Sequence, residues 1–101
     1  MNNRLELQAK LEELLGSKHV YYQPPESLKM EYPAIRYSRD DIDCKNADNI
    51  KYIKNNRYEI IVIDKRADNE VIEKILDLPR STFDRHYISN NLHHDVLTIY
   101  F

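Results

Sequence analysis

Apolar residues recur with a helical spacing near the start of the chain. Leucines at positions i, i+4, i+7 and i+8 share one face of this helix; they are Leu7, Leu11, Leu14 and Leu15. The other face is charged and carries Glu6, Lys10, Glu12 and Glu13. This pattern predicts an amphipathic helix over residues 5–15. Gly16 follows at once and is expected to end the helix in a left-handed conformation.

Three later segments carry the β-branched and aromatic residues typical of strands. They are 20–22, 33–37 and 56–65. Pro24-Pro25 stops the first, because proline cannot donate a ladder hydrogen bond. The third is apolar at consecutive positions from Ile60 to Ile63, which indicates a central strand covered on both faces.

A second helix is predicted over residues 69–78. Asp68 is placed to cap its first turn and Pro79 to stop it. Its buried stripe is expected to consist of Ile72, Ile75 and Leu76.

The chain closes with a predicted hairpin of strands 82–89 and 92–101. Asn90-Asn91 suits a two-residue turn, since asparagine tolerates positive φ. The resulting register places Ile88 opposite His93, His86 opposite Asp95, and Asp84 opposite Leu97.

The predicted order of elements is α-β-β-loop-β-α-β-β within a single domain, residues 1–101. This order is typical of an α+β fold in which an antiparallel or mixed sheet packs with two helices, mainly on one side. The stretch 38–54 is rich in Asp and Asn and is predicted to be an exposed loop. Its last part, 50–54, could equally extend a strand.

Composition excludes several function classes. One glycine in 101 residues removes phosphate-binding loops and dinucleotide fingerprints. A formal charge of −2 argues against strong binding to a phosphate backbone. Cys44 is the only cysteine, so neither an internal disulfide nor a CxxC site is possible. No cofactor is predicted, and without an apolar span or a signal-like start the protein is expected in the cytoplasm where it is made.

Two polar clusters are candidates for chemistry. The first lies near the tip of the predicted hairpin and comprises Asp84, His86, His93 and Asp95. These side chains could bind a divalent metal or form a base with its orienting carboxylate. The ligand spacings of known metal motifs are missing, so we favour a polar interface patch that responds to histidine charge.

The second cluster is acidic and comprises Asp40, Asp41 and Asp43. Carboxylates at this spacing can bind magnesium, as in small nucleases. Asp is also an ordinary residue of surface loops, and this second interpretation is the stronger one.

A family resemblance rests on segments spread over most of the chain. They are Val20-Tyr21-Tyr22-Gln23-Pro24-Pro25, Tyr32-Pro33-Ala34-Ile35, Arg57-Tyr58-Glu59-Ile60, Ile63-Asp64, Phe83-Asp84-Arg85-His86-Tyr87 and Asn91-Leu92-His93-His94-Asp95. In this pattern the chain resembles small structural proteins of tailed bacteriophages, of the tail-terminator or tail-completion type.

The resemblance implies a non-enzymatic virion protein at the head–tail interface. Such proteins form rings, commonly hexameric, that cap the tail tube and meet the head connector. It also implies that the segment 38–54 reaches the lumen or a neighbouring subunit. An acidic segment there would let DNA pass without binding. The alternatives are a small metal-dependent nuclease and a generic protein-binding module.

Overall fold

The computed structural model describes residues 3–25, 29–47, 50–67 and 69–101, with the backbone alone for residue 3 and for the described residues between 40 and 55. Seven elements follow one another over the described residues. They are α1 (Asn3–Leu15), β1 (Val20–Tyr22), β2 (Ala34–Ala47), β3 (Ile50–Asp64), α2 (Val71–Leu76), β4 (Ser81–Ser89) and β5 (Leu92–Tyr100). The predicted α+β class is confirmed.

The five strands form one mixed sheet in the order β1-β2-β3-β5-β4. β1 runs parallel to β2, and every other neighbouring pair is antiparallel. β3 and β4 therefore point the same way and are joined through α2, while β5 returns by a hairpin and lies between them. This arrangement leaves β1 and β4 as the two edges.

Both helices pack on the same face of the sheet, which we call the helix side. Leu7 and Leu11 of α1 and Val71 and Ile75 of α2 belong to the core cluster. The sheet contributes alternate residues of β2, β3 and β5 to that cluster: Ile35, Tyr37, Tyr58, Ile60, Val62, Leu97 and Ile99. Gly16 ends α1 with φ +80°, and its N–H donates to the carbonyl of Glu12, as the sequence predicted.

The prediction of an exposed loop was wrong for residues 38–47, and for residues 50–54 the alternative of a strand extension is confirmed. Within the described residues, positions 38–47 continue β2 and positions 50–54 open β3, so the two strands are 14 and 15 residues long. Asp and Asn are poor strand formers in isolation. Here β2 and β3 pair along their whole length, with register shifts at Arg39/Asp41 and Lys45/Asn46. This pairing satisfies the backbone hydrogen-bonding groups in spite of the low strand propensity of Asp and Asn.

The second helix is shorter than the predicted 69–78, and its buried stripe differs. Val71 and Ile75 are buried, Ile72 packs beside the core, and Leu76 is exposed. The predicted cap Asp68 lies outside the described residues. The N–H of Val71 instead donates to the side-chain oxygen of Asn69. The first turn is thus closed by an asparagine, a residue type suited to that role.

The closing hairpin has the predicted turn, with φ +52° at Asn90 and +63° at Asn91. Ile88 pairs with His93 and His86 with Asp95, as predicted. Further from the turn, the predicted register was wrong, because Phe83 rather than Asp84 lies opposite Leu97. The register shifts between Phe83 and Arg85, so Asp84 is the extra residue of a bulge.

Candidate interaction surfaces and the histidine cluster

Three residues on the helix side of β4 and β5 form a hydrogen-bonded row, which we call the histidine cluster: His86, His93 and Asp95. Nδ1 of His86 lies 2.7 Å from Oδ1 of Asp95. Nε2 of His86 lies 3.3 Å from Nδ1 of His93. Because Asp95 is buried and accepts from Nδ1 of His86, the other nitrogen of that ring turns towards His93.

A second set of polar residues, centred on Asp64, lies at the neighbouring end of β3. Asp64 is buried and pairs across the ladder with His93. One of its oxygens accepts from the Asn69 amide at 2.7 Å, and that oxygen lies 3.5 Å from Nε of Arg66. Asp64, Asn69 and Asp95 are the buried polar residues among those described. The polar interior of the described chain is therefore concentrated at this end of the sheet.

The fourth residue of the predicted hairpin cluster stands apart. At the bulge, Asp84 forms an exposed ion pair with Arg85, 2.9 Å from carboxylate oxygen to guanidinium nitrogen. His94 points to the opposite face, where its ring stacks on Tyr87 with 4.6 Å between centroids. Sequence reasoning grouped Asp84 with the histidines because it assumed an uninterrupted register.

The second predicted cluster lies at the other end of the sheet. Beyond the pairing of Asp41 with Arg57, β2 and β3 pair only with each other in the described ladders; we call residues 41–47 and 50–56 the arm. Asp41 and Asp43 are in the arm and Asp40 is at the register shift at its base. The histidine cluster is at the opposite end, where Asp64 meets His93. The structure thus does not bring the two predicted clusters together.

The arm extends well past the rest of the sheet. Seven residues of strand at about 3.3 Å each span about 23 Å. The molecule measures 51 × 25 × 23 Å along its principal axes, consistent with such an extension. A ribbon of two strands is at best marginally stable alone in water and needs a further surface to pack on. Among the described residues, those of the arm are therefore a candidate surface for contact with another molecule.

β4 is the second unpartnered feature, since it forms one edge of the sheet. Eight of its nine residues are exposed. Large apolar side chains exposed on or beside it are Phe83, Ile88, Tyr87 and, on α2, Leu76. An exposed edge strand with such side chains is a template for pairing with another chain. This surface was not predicted from the sequence, because the position of a strand in the sheet cannot be read from its own residues.

A row of tyrosines fills the helix side at the arm end of the sheet. The rings of Tyr22 and Tyr58 lie 5.0 and 6.1 Å from that of Tyr37, and the Arg4 guanidinium lies 4.5 Å over Tyr22. The Tyr37 hydroxyl donates to the side-chain carbonyl of Gln8, whose amide donates to the Val20 carbonyl. Burial raises the pKa of Tyr37 and of Tyr58 above the usual value of 10.0.

The chemical capacity of these surfaces is limited in the described part of the chain. Among residues whose side chains are described, no group of three or more His, Cys, Asp or Glu could hold a metal ion. Neither of the two helices, over its described residues, combines the length and apolar character that a membrane crossing requires.

No protein-family model and no curated protein matches the sequence.

Proposed function

We propose that this chain is a structural, non-enzymatic component of the head–tail interface of a tailed bacteriophage, of the tail-terminator or tail-completion type. In this role copies of the chain form a ring, with a hexamer as the expected form, that caps the tail tube and offers a face to the head connector. The observation that carries the proposal is the arm, a two-stranded ribbon that lies beyond the other described ladders and is joined to the end of β5 at its base, where the N–H of Phe101 donates to the Asn56 carbonyl.

Closure of a ring requires two different surfaces on each copy, one of which binds the other surface on the next copy. The arm and the β4 edge supply such a pair. They lie on different parts of the sheet, since β4 pairs only with β5 in the described ladders and the arm extends from β2 and β3. Strand addition at β4 would satisfy backbone groups that the edge leaves to solvent and would cover Phe83 and Ile88.

The acidic residues of the arm fit a position near passing DNA. Asp40, Asp41 and Asp43 lie in or beside the base of the arm, whereas its lysines, Lys45, Lys51 and Lys54, lie further out or on the other strand. The carboxylates of Asp40, Asp41 and Asp43 would repel a phosphate backbone, although Arg57 opposite Asp41 offsets part of that charge. In the proposed ring, the base of the arm faces the lumen and DNA passes without binding.

Sedimentation velocity over a wide range of concentrations, with electron microscopy of the same samples, tests the proposal. The full chain is expected to form a closed ring of defined mass. Ile88→Lys places a charge in the β4 edge and is expected to weaken association by about tenfold or more, equivalent to about 1.4 kcal/mol. Leu5→Lys is the matched control, because Leu5 is another exposed apolar residue, 54% against 62% for Ile88, and lies outside the proposed contact.

A monomer at every concentration, with both lysine variants identical to the wild type, would argue against the ring. The second candidate, a module that binds a strand of a different protein, is supported by the same exposed β4 edge. That module would be monomeric alone, and its binding to the partner would be lost in Ile88→Lys.

A further inference from the structure

We propose that His86 and His93 form a two-imidazole site for a divalent transition metal, such as Zn²⁺ or Ni²⁺, and that Asp95 is its positioning residue. The site lies on the helix side of the β4–β5 hairpin, and His86 belongs to the β4 edge that is proposed for the ring contact.

The two rings are held side by side by the strand register. His86 pairs with Asp95, and His93 is two residues before Asp95 on the same strand, so the two histidines are diagonal neighbours on one face. Their ring centroids lie 5.3 Å apart with planes inclined by 32°. Both histidine side chains therefore project from paired strands of the sheet. The pairing of these strands fixes the position of each Cβ atom.

The distance between the facing nitrogens suits a shared metal. Nε2 of His86 and Nδ1 of His93 are 3.3 Å apart. In a tetrahedral zinc site the imidazole nitrogens lie about 2.0–2.1 Å from the metal, which puts two of them about 3.3–3.4 Å from each other. The nitrogens thus already stand at the separation that two ligands of one ion require.

Asp95 completes the arrangement found behind many metal-binding histidines. Its carboxylate accepts the Nδ1–H of His86 at 2.7 Å, which leaves the Nε2 lone pair facing His93. A carboxylate in this position fixes the tautomer and orientation of the ring and increases its basicity as a ligand. Asp95 is itself buried, so its carboxylate is held in place.

Metal binding would replace the hydrogen bond between the two rings. Without metal, Nδ1–H of His93 donates to Nε2 of His86. With metal, both of these nitrogens donate lone pairs to the ion, and His93 carries its proton on Nε2 instead. The exchange is a tautomer shift through solvent, so no net proton is released when both rings start neutral.

Two protein ligands leave coordination positions open. Among the described side chains no third candidate joins the pair, so water occupies the remaining positions when the chain is alone. A ligand from a bound molecule could replace that water.

Calorimetric titration of the full chain with ZnCl₂ and NiCl₂, above the pH range in which histidines titrate, tests the site. Saturable binding of one ion per chain is expected, and MgCl₂ should give none, since Mg²⁺ prefers oxygen ligands. Each titration is repeated in Cys44→Ser, because a thiolate also binds these metals.

The variants separate the proposed ligands from other histidines. His86→Gln and His93→Gln should each abolish saturable binding, and Asp95→Asn should weaken it about 10- to 100-fold. His94→Gln is the matched control on the same strand and the opposite face, and it should bind as the wild type does. Circular dichroism confirms that each variant is folded.

Histidine ¹⁵N spectra give a second readout. On addition of zinc, Nε2 of His86 and Nδ1 of His93 should shift to metal-bound values, while His94 stays unchanged. Absence of saturable binding in the wild type, or binding in both ligand variants that is as tight as in the wild type, would overturn the proposal.

Discussion

Nδ1 of His86 lies 2.7 Å from Oδ1 of Asp95, and the two residues face each other across β4 and β5. The contact joins an edge strand to its inner neighbour through one exposed ring and one buried carboxylate. It therefore orients the histidine and also ties β4 to the sheet.

A double-mutant cycle on His86 and Asp95 measures how much their contact stabilises the attachment of β4 to the sheet. With His86→Ala and Asp95→Ala, singly and combined, we expect a coupling free energy of about 0.5–1.5 kcal/mol in chemical unfolding at neutral pH. The partial exposure of His86 keeps the value in this modest range. Strictly additive single effects would show that the contact does not stabilise the fold.

The packing of α1 on the sheet should depend on Leu11. This side chain is fully buried in the core, so Leu11→Ala is expected to lower the free energy of unfolding by about 2–5 kcal/mol. Leu5→Ala on the same helix removes an exposed leucine and should change it by less than about 0.5 kcal/mol. Equal effects of the two variants in urea denaturation would contradict the described orientation of α1.

The buried tyrosines predict a loss of stability in alkali. The pKa of Tyr37 and of Tyr58 is raised in the folded state, so the folded protein keeps phenolic protons that the unfolded chain has lost. Their contribution is complete below pH 10, and the free energy of unfolding should fall as the pH rises above 10.

Denaturation in urea at a series of pH values checks this prediction. Tyr37→Phe removes one titrating group, so the free energy of unfolding should fall less steeply above pH 10. It should also cost about 1 kcal/mol at neutral pH through loss of the bond to Gln8. Tyr21→Phe, at a half-buried tyrosine of β1, serves as the control. A slope that is the same in all three proteins would refute the assignment.

The proposed repulsion of DNA by the arm predicts a gain of binding on charge reversal. Changing Asp40, Asp41 and Asp43 to Lys raises the formal charge by six, from −2 to +4. We expect the variant to retard duplex DNA at low salt, more weakly as salt increases, whereas the wild type does not.

The control carries the same change of charge elsewhere. Glu12, Glu13 and Glu73 lie on the two helices, away from the arm, and are changed to Lys together. Because the proposed DNA path lies at the arm, this control should retard DNA less. Equal retardation would mean that net charge alone determines binding, and would remove the reason for placing the acidic residues at the lumen.

Sequence patterns predicted the parts of the fold whose local signals agree with their environment. The leucine spacing of α1, the apolar run of β3 and the Asn90-Asn91 turn each specify one structure at short range. The pairing of His86 with Asp95 followed from that turn, because a two-residue turn fixes the register close to it.

The wrong predictions share a cause, since each depends on a distant partner. The Asp-rich continuation of β2 becomes a strand through its pairing with β3. The bulge at Asp84 breaks a register that was extrapolated from the turn. The exposure of Leu76 and Ile88 depends on β4 being an edge, and that position is set by the insertion of β5 next to β3.

Deletion of the arm shows whether ring formation depends on it. Residues 40–57 are replaced by Asn-Gly, which should close β2 and β3 in a tight hairpin between Arg39 and Tyr58 while keeping the core. Circular dichroism and a cooperative thermal transition establish that the shortened chain folds.

The mass of the assembly is then measured by native mass spectrometry for the full and the shortened chain. We predict a ring of defined mass for the full chain and a folded monomer for the shortened one. The same ring from both chains would show that subunits associate without the arm, and would rule out the proposed ring contact.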